Sequence, residues 1–258
     1  MEQGLILQES HNIGYHAKKL KTVTATLLNL QQANNKPYQM FLSGPQSTKI
    51  EIKDKELQEA NAVQQSSQVR MYVHSAYIIN LCHEPGTKED YGVVCLQKNL
   101  QYANIMGLKG VVVHVGKSVT MPLAIALENM RKNVIMALDA ATETCPLLLE
   151  TPAGQGTETL TTYSDFVTFV QSFNTPKFRI CVDTCHVFAT GQNPLEYIQK
   201  VYTTDPTLLK LVHFNDSQTP CGSCVDRHAY IGTGKIGYAA LKEIADYCKD
   251  RAIPMLVE

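Results

Sequence analysis

The chain has 258 residues, of which 44% are hydrophobic and 18% charged, and a formal net charge of −1. That length suits one (β/α)8 barrel of about 250 residues, and the composition suits a sizeable buried core. It excludes a disordered chain and a globally basic nucleic-acid binder, so any attraction for DNA must be local or carried by bound cations.

The opening run, Met1 to His11, lacks a basic segment followed by an apolar one, so no signal peptide is expected. No apolar run approaches the ~20 residues of a membrane span, and none is expected to cross one. Eight cysteines are scattered through the chain, which points to free thiols in a reducing intracellular compartment, cytoplasm or nucleus. Cys221 and Cys224 form a lone CxxC, read as small-residue loop chemistry rather than a zinc knuckle.

Short apolar runs alternate with longer amphipathic ones from end to end. Strands are predicted at Gly4–Gln8, Tyr38–Leu42, Arg70–His74, Gly110–Val115, Cys145–Glu150, Arg179–Asp183, Lys210–Phe214 and Pro254–Glu258. Val111 to Val113 and Leu147 to Leu149 are apolar at consecutive positions, as in strands buried on both faces. Helices are predicted at Tyr15–Asn34, Asp54–Gln65, Thr87–Met106, Ser118–Ala141, Thr161–Phe173, from Asn193-Pro194 onward, and at Ile236–Arg251. Thr87 and Asp90 resemble a capping box, Gly107 a C-cap, and Asn193-Pro194 a helix start. Strict alternation implies a parallel sheet, and eight strands imply a single α/β domain over residues 1–258, a (β/α)8 TIM barrel. No GxGxxG follows the first strand, which argues against a doubly wound sheet. Glu258 directly follows the eighth strand, so the barrel's final helix is expected beyond it.

Six strands in a row end in a metal-capable side chain: His74, His114, Glu150, Asp183, His213 and Glu258. In such a barrel all these ends face one mouth, where catalytic residues sit. Any one of them could be a hydrogen-bonded core residue. Six around one rim, three of them carboxylates, would repel one another without cations between them. Asp183 and His186, three residues apart on a tightening loop, can turn toward one cavity. The run from His213 to Gly237 exceeds the ~12–15 residues usual for a structureless loop and is read as functional. Asp226 and His228 alternate on one side of it and, with His186, make another metal-capable set. His11 and His16 are read as solvated, and His83 as orienting its loop.

The stretches HSAYIIN (74–80), ETPAGQG (150–156), CVDTCHVFATG (181–191), HFNDS (213–217), GSCVDRHAYIGTG (222–234) and IPMLVE (253–258) resemble the endonuclease IV family of abasic-site endonucleases. The likeness runs in order from about residue 70 to the end. It is weaker before residue 60, where Gln8 and Ser10 stand for the family's usual histidine and serine. The resemblance implies three zinc ions. One would be held by His74, His114 and Glu150, and a second, sharing Glu150, by Asp183, His213 and Glu258. His186, Asp226 and His228 would hold the third. The donor set also tolerates manganese.

It further implies a monomer that hydrolyses the phosphodiester 5′ to abasic sites in duplex DNA during base excision repair, with Glu150 orienting or deprotonating the attacking water. Tyr77 matches the family's inserted tyrosine. Gln46 stands where relatives present an arginine, and Lys117, Arg227 and Lys235 lie on the rim as candidate phosphate contacts. The rival is a single-metal sugar isomerase or epimerase, which needs Glu150, Asp183, His213 and Glu258 but has no use for the other five ligands.

Overall fold

The computed structural model describes residues 2–31, 36–87 and 90–258. Among them, eight parallel strands are β1 (Gly14–His16), β2 (Pro37–Phe41), β3 (Arg70–His74), β4 (Val111–His114), β5 (Leu147–Glu150), β6 (Phe178–Asp183), β7 (Leu209–His213) and β10 (Met255–Val257). Their hydrogen-bonded order, β1-β10-β7-β6-β5-β4-β3-β2, closes on itself, which is the (β/α)8 barrel expected from the alternation. Leu147, Leu148 and Leu149 are each 0% exposed, which explains their unbroken apolarity. No helix among the described residues is long and apolar enough to cross a membrane. Among the described residues no disulfide links any of the eight cysteines.

The fold divides into two compact units. The first comprises Met1–Tyr15, Leu149–Asn174 and Arg179–Glu258, and the second His16–Leu148 and Thr175–Phe178. In the second unit β2 and β3 pair over five residues, Pro37↔Arg70 to Phe41↔His74, and β3 continues onto β4. It carries helices α2 (Val23–Gln31), α3 (Asp54–Ser66), α4 (Tyr91–Met106) and α5 (Leu123–Leu138). Three asparagines fasten its loops. Asn133 of α5 donates to Leu81 O and His83 O, and Asn129 to Cys82 O. Asn80 exchanges two bonds with the backbone of Lys117, clasping the loop after β3 to the loop after β4.

The first unit contains α1 (Glu2–Ser10), α6 (Tyr163–Gln171), α7 (Thr184–Ala189), α8 (Pro194–Thr204) and α9 (Tyr238–Asp250). In it β6, β7, β10 and β1 pair side by side, with Asp183 opposite His213 and His213 opposite Leu256. Asn193 caps α8 through bonds from Leu195 N and Glu196 N, as its sequence indicated, and Thr162 caps α6.

Several expectations need correction. Gly4–Gln8 is not the first strand but lies inside α1. Its apolar run does not serve a two-faced strand. Only Gly4 and Leu7, three apart on one helical face, are buried, while Leu5 and Ile6 are 63% and 59% exposed. The true first strand is Gly14–His16, so the helix predicted over Tyr15–Asn34 begins only at Val23, and Asn34 lies outside the described residues. Lys88 and Glu89, in the predicted Thr87–Met106 helix, also lie outside them. Asp90 does not complete a capping box. Its carboxylate instead takes the Gly86 N–H and meets His83 Nε2 at 3.0 Å. The long loop after β7 is not wholly irregular. It contains the antiparallel pair β8 (Asp216–Ser217) and β9 (His228–Ala229). His11 is not solvated either: its side chain is 8% exposed and pairs with Asp246 of α9 at 2.7 Å.

Candidate metal centre

The densest cluster of the first unit lies where β5, β6, β7 and β10 end. Glu150, Asp183 and His213 are essentially dry, Glu258 is partly buried, and each offers one ligand atom within 4.8 Å of the others. His213 Nδ1 stands 2.8 Å from Glu150 Oε1, 3.1 Å from Glu258 Oε2 and 3.9 Å from Asp183 Oδ2. Burial opposes charging His213, but Cys181, Glu258 and Glu150 outweigh it and hold its pKa well above the usual imidazole value. Even with His213 protonated, three carboxylates and one imidazolium leave a formal charge of −2 in a nearly water-free space. A buried uncompensated charge costs several kcal/mol or more. A divalent cation removes that penalty, and the donor set of carboxylate oxygen and imidazole nitrogen suits zinc or manganese.

A second cluster adjoins it. His186, Asp226 and His228 bring ligand atoms within 4.8 Å of one another, with His186 Nε2 at 3.3 Å and His228 Nε2 at 3.1 Å from the two Asp226 oxygens. His186 does not sit on a loop, as its sequence suggested. It lies in α7, which Asp183 caps, its Oδ1 accepting from His186 N at 2.8 Å. His186 Nδ1 donates to Thr151 O at 2.8 Å, which fixes the ring and turns Nε2 toward Asp226. Burial works against charging His186 and His228, yet Asp183 and Asp226 prevail and raise both pKa values. Asp226 is likewise penalised by burial, and the His186 and His228 rings reverse that and lower its pKa.

In the second unit His74 and His114 present their rings 5.1 Å apart, and His74 Nδ1 engages Ser75 O at 2.7 Å. Tyr77, 44% exposed, packs its ring at 5.2 Å from both Phe41 and His74 and at 5.3 Å from His114. Gln46 and Lys117 are exposed in the same unit. Arg227 and Lys235 are exposed in the first unit, where Arg227 Nη1 donates to Asp226 O.

His16, expected to be solvated, is instead half-buried. It ends the true first strand, packs on Phe41 at 4.6 Å and meets buried Gln39 at 3.1 Å. It opens onto a groove of about 640 Å³ that is lined by Lys18, Lys19 and Lys49. The signal was a strand-end histidine followed by a run of lysines, hidden by assigning the strand too early. A cleft of about 440 Å³ in the first unit is lined by His228, Glu258, Gln8 and Tyr230, beside both clusters there.

A family model described as a Xylose isomerase-like TIM barrel matches residues 36–252. A protein named putative endonuclease 4 from Acanthamoeba polyphaga mimivirus is 32% identical over 241 residues, covering 86% of this chain and 76% of its own length. The solved endonuclease IV of Thermus thermophilus superposes with a TM-score of 0.81 at 24% identity, over 95% of this chain and 91% of that one. A D-tagatose 3-epimerase-like protein shares the fold with a TM-score of 0.72 at 17% identity, over 95% and 89%. The chain belongs to the endonuclease IV family, within the Xylose isomerase-like TIM barrels.

Proposed function

We propose that this chain is a cation-dependent endonuclease that hydrolyses the phosphodiester 5′ to an abasic site in duplex DNA, leaving a 3′-hydroxyl and a 5′ deoxyribose phosphate. The observation that carries this reading is the set of buried Glu150, Asp183 and His213 with partly buried Glu258, whose charge demands a cation, with a second set, His186, Asp226 and His228, beside it. The relatives named endonuclease 4 support the reaction class. A sugar isomerase or epimerase would use the first set alone and leave the second without a purpose.

On the family resemblance, three ions are assigned, zinc first and manganese as a substitute. The first two sets would hold one each, and His74 and His114 are assigned to the remaining one. Bound there, such cations polarise phosphoryl oxygens and lower the pKa of water to about 7. The chain's own contribution is to aim these donors. Glu150 is 1% exposed, its Oε1 2.8 Å from His213 Nδ1 and 3.6 Å from His186 Nδ1. That position suits it to orient water and take its proton. Exposed Tyr77 is assigned to the gap left by the missing base, Gln46 to a DNA contact on its loop, and Lys117 and Arg227 to backbone phosphates. An abasic nucleotide turns out of the helix at low cost because no base pair has to be broken.

Replacing Glu150 tests the assignment. Glu150→Gln keeps the side chain's shape and loses its basicity. It is expected to bind abasic duplex normally and to cleave it about a hundredfold more slowly or worse in single turnover. Near-normal cleavage refutes the role.

A further inference from the structure

Asn215, at the end of β7, is 1% exposed and absent from every assigned ligand set. Its amide orientation is fixed by chemistry: the backbone N–H of Glu258 can only donate, and it meets Asn215 Oδ1 at 3.0 Å. The other end of the amide is therefore the NH2 group, which donates to Asp183 Oδ2 at 2.7 Å. Asn215 is itself held by Thr184, whose hydroxyl donates to Asn215 O at 2.6 Å and accepts from Asn215 N at 2.8 Å.

An aspartate turns easily about its last torsion, so one hydrogen bond leaves its plane loose. Asp183 has two. Its Oδ1 is held by His186 N and its Oδ2 by Asn215. The second bond sets Oδ2 at 3.9 Å from His213 Nδ1 and 3.7 Å from His228 Nε2, between a histidine of each cluster and beyond hydrogen-bond length from both. The same amide tethers the backbone that carries Glu258.

We propose that Asn215 is a positioning residue for both clusters, turning Asp183 Oδ2 toward the space they share and locking Glu258 in register with it. The inference rests on reading the clusters as cation sites. Residues that touch a ligand without binding the metal govern its aim, and losing one commonly weakens metal affinity 10–100-fold.

Two variants test the aim, read by Co²⁺ affinity and absorption bands rather than by stability. Asn215→Asp keeps an oxygen for the Glu258 N–H but loses the donor to Asp183, and Asn215→Ala loses both. Metal-stripped proteins would be titrated with Co²⁺ and followed by visible absorption, alongside thermal unfolding of the stripped forms. Both variants are expected to bind Co²⁺ about 10–100-fold more weakly with changed bands. Stripped Asn215→Asp buries a further carboxylate against Asp183 and should melt below the parent. Parent-like Co²⁺ affinity in Asn215→Asp overturns the positioning role while leaving the cation sites intact. A parent protein that binds no Co²⁺ overturns the cation reading itself, and with it the role of Asn215.

Discussion

Replacing Asp216 probes how the loop that carries His228 is held. The carboxylate is 0% exposed and accepts four backbone N–H groups. Oδ1 takes those of Ser217 at 2.8 Å, Ile236 at 3.0 Å and Gly237 at 3.3 Å, and Oδ2 takes that of Gly234 at 2.8 Å. In Asp216→Asn the amide oxygen can keep the first three, but the NH2 group must then face the Gly234 N–H. One hydrogen bond to a charged acceptor, worth about 1.5–3 kcal/mol, is lost, so a cost of about 2–3 kcal/mol is expected. Asp216→Ala strands all four donors at about 1–3 kcal/mol each. Water entering the vacated space offsets part of this, which leaves about 4–6 kcal/mol. Urea unfolding of metal-stripped protein measures both, provided the slope is unchanged. Hydrogen exchange at the amides of Gly234, Ile236 and Gly237 should accelerate in step. An Asn variant within about 0.5 kcal/mol of the parent, or an Ala variant no worse than it, refutes the reasoning.

Further outcomes follow from the packing and the charges. A Cβ on Gly116 would stand 2.2 Å from Cys82 Sγ and 2.6 Å from Cys82 N, so Gly116→Ala should cost about 1–3 kcal/mol or more in unfolding experiments. Gly92→Ala, in α4 with no neighbour closer than 3.5 Å, should be neutral or stabilising by about 0.5–1 kcal/mol. If both substitutions prove equally harmless, the close approach at Gly116 is wrong. In the metal-stripped protein, His186, His213 and His228 have raised folded pKa values. The stability they add is fully present below the unfolded value of about 6.5 and is lost as pH rises through the folded values. The melting temperature of the stripped protein should therefore fall as pH climbs above about 6.5. The gain on adding zinc should grow over the same window, because the cation needs deprotonated rings. A stripped-protein melting curve that is flat or rising there contradicts this electrostatic account.

The middle of the barrel was legible in the sequence because its strands are apolar on both faces and each stops at a polar side chain. Val111 to His114 and Leu147 to Glu150 can hardly be read otherwise. The start was not legible. Gly14-Tyr15-His16 is too short to show a period, and the Leu5-Ile6-Leu7 run counterfeits a strand while facing mostly solvent. That error concealed His16 and, with it, the lysine-lined groove. Helix α7 spans only six residues, less than two turns, so the Asp183–His186 spacing gave no sign that Asp183 caps a helix holding the histidine. The ligand candidates stood out because carboxylates and imidazoles have no packing use at strand ends. Asn215 and Asp216 did not, since buried polar residues that organise backbone carry no periodic signal. Their roles emerge only when each donor is matched to its acceptor.

The most direct test of the central claim uses the protein and a duplex with a single tetrahydrofuran abasic analogue, with and without prior chelation. The analogue cannot undergo β-elimination, so any nick is hydrolytic. The account predicts one nick on the 5′ side of the analogue, abolished by the chelator, restored by zinc or manganese, and leaving a 3′-hydroxyl that a polymerase extends. An intact duplex in the presence of a fully metal-loaded protein, or a nick that chelation does not affect, would contradict it.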